Sequence, residues 1–301
     1  MQSLARGWSF LSEAWRMAFA DKDLIKPSIY SMFVGFVVTL VFLVPVVIAM
    51  LLFGGESLIG RVVLGVLGVI LIFAQYSVSY IFSAMTIYLI YGYLSEGDGR
   101  MDKAWAMLQR EWLNILSLAA ASTLVSVVRG IVRGNGRNRN FIREGIANLI
   151  NTIWTEATYL ILPVMVIEDA NLKDGLKRAT YIAKSNLLLI GLSTVGVSWI
   201  TGAIGFVLGM VGIALGGAII FGVVSVAGDS TVLVVIGIMV GVLVGSIPIM
   251  AATIINSYTT TAYHTCLYLW ARDVEKAQGG QQAGIPVQIP APAPLAAVLG
   301  R

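Results

Sequence analysis

Residues 29–53 read IYSMFVGFVVTLVFLVPVVIAMLLF, without a single charged side chain. Roughly 20 helical residues cross about 30 Å of hydrocarbon, so this stretch is long enough to span a bilayer as a helix. Gly54-Gly55-Glu56-Ser57 follows as a turn, and a second apolar run starts near Val62. The pattern repeats along the chain: charges come in clusters, and long apolar runs separate them. Across 301 residues, 57% are hydrophobic and 12% charged, with a mean hydropathy of +0.85. A soluble domain carries about 25% charged residues. The expected class is therefore all-α: a polytopic helical membrane protein with about six transmembrane helices and amphipathic interfacial helices.

The spans are expected near 29–53, 62–94, 113–128, 146–167, 187–210 and 231–255, within a transmembrane domain covering 29–277. The glycine-rich stretch after Met210 is too long to belong to one crossing, and a re-entrant or interfacial piece is expected there. Residues 1–28 are expected to form an N-terminal interfacial amphipathic helix. Residues 278–301, rich in Pro, Ala, Gly and Gln, read as a disordered tail. No secretory signal pattern opens the chain, so the first span is expected to stay as an anchor.

Three segments carry an apolar stripe at helical spacing: Leu4, Trp8, Leu11 and Trp15; Met101, Trp105, Leu108 and Trp112; Leu172, Leu176, Ala179 and Ala183. Each precedes a span, as an interfacial helix with boundary Trp does. The order suggests a threefold unit of interfacial helix, span, turn and span. Of the 20 Lys and Arg, 14 then fall on the side of both termini. The other 6 are Arg61, Arg129, Arg133, Arg137, Arg139 and Arg143. The excess places the termini in the cytoplasm, with a local violation in the Arg-rich 129–143 loop. A multi-pass protein of a prokaryotic plasma membrane is the expected location.

The fourth span holds the residues that invite a functional reading. Asn148, Thr152, Thr155 and Tyr159 share a face, flanked by Asn151 and Glu156. A carboxylate at membrane depth is costly and marks a function or a structural pair. Counted along the helices, Arg129 lies within about 6 Å of Glu156 in depth, so Arg129 or Arg133 is the expected partner. The alternatives are a polar pathway or a buried ion pair. Gly205 and Gly209, with Gly237, Gly241 and Gly245, give small-residue faces for helix packing, within or between subunits.

His264 is the only histidine and Cys266 the only cysteine. No metal or cofactor site, nucleophile motif or paired-carboxylate constellation is expected from the sequence, which disfavours an enzyme. The partners expected are the lipid bilayer and another membrane protein or a second copy, not nucleic acid. The reading is of a non-enzymatic membrane scaffold or accessory subunit. Its alternative is a transporter or channel for a small solute or anion, with a pathway near Glu156 and the Arg-rich loop.

Three stretches carry a resemblance. They are Arg6-Gly7-Trp8-Ser9-Phe10 with Ala14-Trp15-Arg16; Trp154 with Ala157-Thr158-Tyr159 and Leu162-Pro163-Val164; and Tyr263-His264-Thr265-Cys266-Leu267-Tyr268. Together they resemble the domain-of-unknown-function 6159 family of prokaryotic polytopic membrane proteins. The resemblance implies a multi-span fold and transfers no catalytic or binding residue.

Overall fold

The computed structural model describes residues 2–54, 57–133, 141–185, 187–227, 230–279, 291–292 and 294–296. Among them run α1 (Gln2–Ala20), a 3-10 turn (Lys22–Leu24), α2 (Lys26–Phe53), α3 (Leu58–Glu96), α4 (Met101–Arg133), α5 (Phe141–Ile167), α6 (Leu172–Ser185), α7 (Leu187–Ala227) and α8 (Thr231–Gly279). Six helical stretches are long and apolar enough to cross a membrane. The chain is thus an all-α, polytopic membrane protein.

Local chemistry sets the helix ends. Pro27 stands in the first turn of α2, where a missing N–H costs nothing. The Ser57 side chain accepts the Gly60 N–H at 2.9 Å and starts α3. Gly97, at φ +81°, closes α3 in the left-handed conformation that glycine adopts freely. Asp21 bridges two segments: one carboxylate oxygen accepts the Asp23 N–H at 2.9 Å, the other the Gly99 N–H at 2.7 Å. Pro45, Pro163 and Pro248 lie inside α2, α5 and α8, which continue through them.

Burial divides the molecule into two zones. The main core cluster joins Phe10 and Ala14 of α1, Met85 and Leu89 of α3, Ile115 of α4, Ile161 of α5, and Tyr258 and Tyr263 of α8. This is a packed head at one end of the bundle. Away from it, most large apolar side chains of α2, the start of α3, α7 from Phe206 onward and the start of α8 face outward. Only 6% of the most apolar window of α2 is buried. Such all-round apolar helices suit a lipid solvent.

Several expectations meet a different geometry. The stretch after Met210 is not a re-entrant piece: α7 runs unbroken from Leu187 to Ala227. Two of its glycines, Gly212 and Gly216, are used in close packing on α8. A Cβ on Gly212 would stand 2.5 Å from the Gly245 carbonyl oxygen, and one on Gly216 would stand 2.7 Å from that of Gly241. Gly237 meets Val223 in the same way, whereas Gly205 and Gly209 face open space.

The second stripe, Met101 to Trp112, is continuous with α4 rather than a separate helix. In α1 the buried face is Phe10, Leu11, Ala14 and Met17, while Trp8 is 61% exposed. α1 is docked on α8, with the Tyr258 hydroxyl donating to the Ala14 carbonyl at 3.0 Å and Trp15 Nε1 donating to Thr259 at 3.2 Å. Most of the 278–301 tail lies outside the described residues. Within it, Leu295 is fully buried in the same core cluster, so this short piece is anchored rather than extended.

Candidate functional site

Three helices carry a polar interruption in otherwise apolar sequence. In α3 it is Gln75-Tyr76-Ser77 with Ser79-Tyr80 and Ser83; in α5, Thr155 to Tyr159; in α8, Asn256 to Thr261 with His264. Between the three helices lies a cavity of about 170 Å³. Tyr76, Ser79, Tyr80 and Ser83 line it from α3; Trp154, Thr155, Thr158 and Tyr159 from α5; Thr261 and His264 from α8.

α4 braces the wall from behind. Ser122, fully buried, receives the Trp154 Nε1–H at 2.9 Å and shares a 2.7 Å hydrogen bond with the Tyr80 hydroxyl. One turn along, the Tyr76 hydroxyl shares a 2.8 Å hydrogen bond with Ser126. Tyr76 and Tyr80 stack on each other, with centroids 5.6 Å apart. These bonds hold the aromatic rings in fixed orientations.

His264 is the least ordinary group in the wall. Its Nδ1 lies 2.8 Å from the Thr260 carbonyl oxygen. A carbonyl only accepts, so Nδ1 carries the proton and, in the neutral ring, Nε2 is left with a lone pair. Nε2 is buried and has no hydrogen-bond partner among the described residues. The ring is clamped, with Tyr159 stacked at 4.2 Å and Tyr263 edge-on at 5.0 Å. The nearest carboxylate is Glu156, whose Oε2 is 3.9 Å from Nε2, too far for a direct hydrogen bond.

The expected pairing of Glu156 with Arg129 or Arg133 is not what the structure contains. Arg129 donates to Asn151 at 2.6 Å and Arg133 pairs with Glu144 at 3.3 Å. Glu156 follows Asn151 by five residues, about 140° around the helix, and so turns from α4 toward α8. The other expected residues divide. Thr155 and Tyr159 line the cavity, while Asn148 and Thr152 are exposed and bond to each other through the Asn148 carbonyl. Of the Arg-rich loop, residues 134–140 lie outside the described residues.

A second, broader crevice opens between α2, α3 and α8, with Ser28, Thr39, Gln75, Thr253 and Asn256 on its walls. The Ser28 hydroxyl there is buried without a hydrogen-bond partner among the described residues. Ser79 lines both the crevice and the inner cavity, so the two adjoin there. Among the described residues, no group of three His, Cys, Asp or Glu could hold a metal ion. Cys266 is buried in the core.

At the head surface, Arg178 of α6 bonds to Glu275 at 2.6 Å and to Glu168 at 3.3 Å, tying α6 to α8 and to the end of α5. The Glu275 carboxylate raises the pKa of the Arg178 guanidinium above its ordinary value.

Sequence reasoning missed most of the cavity wall. His264 reads there only as a lone, failed metal ligand. The usable signal was the hydroxyl-rich stretch Asn256 to Thr261, which no lipid-facing helix needs. Compared with known proteins, the chain matches no family model, no curated protein and no solved structure.

Proposed function

We propose that the chain is a membrane carrier that binds a small polar solute in the cavity between α3, α5 and α8. The observation that supports this most is the buried His264 Nε2, held in the wall without a hydrogen-bond partner among the described residues. A buried acceptor left unsatisfied costs about 1–3 kcal/mol, and a solute that displaces the side chains covering it and donates to it removes that cost. The adjoining crevice supports a route toward the cavity past Ser79. The anion pathway has less support, because neither Arg129 nor Arg133 lines the cavity and Arg133 is already paired with Glu144.

The head end carries α1 and the end of α8, and the positive-inside excess favours a cytoplasmic head in a prokaryotic plasma membrane. Membership of the domain-of-unknown-function 6159 family is part of the same proposal, resting on the sequence motifs alone. It adds no activity.

The test is permeation. Vesicles containing the purified protein are placed in gradients of urea, glycerol and methylammonium, and swelling is followed by light scattering. The reading expects at least one probe to enter faster than into protein-free vesicles. That flux should fall tenfold or more in Thr155→Trp, which fills the cavity. If none of the probes enters faster, the accessory-subunit reading takes over. Its own support is the open face at Gly205 and Gly209, available to a second membrane helix.

A further inference from the structure

The geometry points to a small organic ammonium ion, no larger than a benzene ring with a short amine arm, as the ligand class of the α3/α5/α8 cavity. This rests on the carrier reading of that cavity.

Size comes first. An apolar cavity of about 150 Å³ holds benzene, and this one offers about 170 Å³. One ring or a short branched amine fits; a sugar or a nucleotide does not.

Polarity comes second. The donors in and behind the wall are mostly spent. Trp154 Nε1 donates to Ser122, Thr158 donates to the Trp154 carbonyl, and His264 Nδ1 donates to Thr260. Tyr76 and Tyr80 are each tied to a serine of α4. The group left over is an acceptor, His264 Nε2, with the Glu156 carboxylate 3.9 Å away. The remaining wall hydroxyls rotate to either role. No Lys or Arg lines the cavity.

Charge comes third. Burying a cation is costly unless it is paired. Here the Glu156 carboxylate, 44% exposed and outside the wall itself, lies 3.9 Å from His264 of the wall. Tyr76, Tyr80, Trp154 and Tyr159 are among the lining residues, aromatic rings of the kind that attract a cation over an open face. A carboxylate ligand would meet the same carboxylate and π faces with the wrong sign. Once the side chains covering Nε2 shift slightly, an ammonium nitrogen set to one side of the Nε2–Oε2 line, about 2.8 Å from each, donates one N–H to His264 and a second to Glu156.

The experiment compares three probes of one shape: benzylammonium, benzyl alcohol and benzoate. Binding to the full chain in lipid nanodiscs is measured by titration calorimetry, with protein-free nanodiscs subtracting partition into lipid. Benzylammonium is expected to bind at least tenfold tighter than benzyl alcohol, and benzoate not at all. Glu156→Gln should erase the preference while benzyl alcohol binding stays within twofold, and Glu156→Asp should keep it. Since Glu156→Gln retains a probe-binding cavity only if it folds, its benzyl alcohol affinity doubles as the folding control. Equal or tighter binding of benzyl alcohol or benzoate overturns the ammonium assignment and leaves the cavity as a solute site. A preference that survives Glu156→Gln overturns the role of the carboxylate. Saturable binding of none of the three, or binding unchanged in Thr155→Trp, overturns the cavity reading and this inference with it.

Discussion

Ser122 and His264 are two single residues on which the site depends, in different ways. Ser122 is a brace: one buried hydroxyl serves both Trp154 and Tyr80. Ser122→Ala leaves an indole N–H and a phenol without that partner. Buried groups orphaned in this way cost about 1–3 kcal/mol, and the low end applies among membrane helices, where measured hydrogen bonds are weaker. A fall in thermal midpoint in detergent, corresponding to about 1–2 kcal/mol, is expected; an unchanged midpoint would mean the two aromatic side chains find other partners. His264 lines the cavity, and on the carrier reading it meets the solute. His264→Leu should leave stability equal or higher, because it removes an unsatisfied buried nitrogen, while abolishing saturable solute binding.

Glu156 shows what the residue scale reveals in sequence and what it withholds. A carboxylate inside an apolar run announces itself, because its burial is costly. Depth follows from counting residues, which is why Arg129 stands out as a partner. Azimuth does not follow from counting: Glu156 and Asn151 point about 140° apart on α5, and Asn151 takes Arg129. The cavity stayed hidden for the same reason, since its wall gathers three helices whose rotations only tertiary packing sets.

Among the elements, the α7–α8 hairpin tests the glycine reading most sharply. Gly241 sits where a Cβ would come 2.7 Å from the Gly216 carbonyl oxygen and 2.4 Å from Ile220. Gly241→Val should push the helices apart and destabilise by about 1–3 kcal/mol, the usual cost of overpacking. Gly209→Ala meets open space and should be neutral or slightly stabilising, since alanine is the better helix former. Thermal scans of the two variants side by side check the contrast; equal losses would refute the assignment of faces. The sequence shows the small-residue spacing on both stretches equally. Which stretch is used depends on how α7 is rotated against α8.

At the junctions, Asp21 joins the α1–α2 link to the turn before α4. Asp21→Ala should cost about 1–2 kcal/mol, because two N–H groups lose a charged acceptor. Amide exchange at Gly99 and Asp23 should quicken in the variant, and unchanged protection there would argue against the bridge. The helical elements were legible from apolar run length. The boundary between an interfacial helix and its span was not: at 101–112 the helical hydrogen bonds run on into α4, and nothing in the residues 112–113 breaks them.

At the scale of the molecule, a packed head carries hairpins whose outer faces are apolar. The core cluster holds both Phe10 of α1 and Leu295 near the chain's end, so both ends of the described chain lie at the head. Multi-span architecture is legible because lipid forces long uncharged helices. The head is not, since its core is built from segments more than 240 residues apart, as in the Trp15–Thr259 contact. The cytoplasmic placement of the head is a sidedness claim. Single cysteines at Trp8 and at Ser57 should react with a membrane-impermeant maleimide from opposite faces of sealed cells, against a low background because Cys266 is buried. Labelling of both from one face would contradict the orientation.

The central claim is that the cavity around His264 takes up a solute. Calorimetric titration of benzylammonium into the nanodisc-embedded chain addresses it most directly. The account predicts saturable binding of one equivalent that disappears in Thr155→Trp and loses its preference over benzyl alcohol in Glu156→Gln. Heat indistinguishable from that of empty nanodiscs would contradict it.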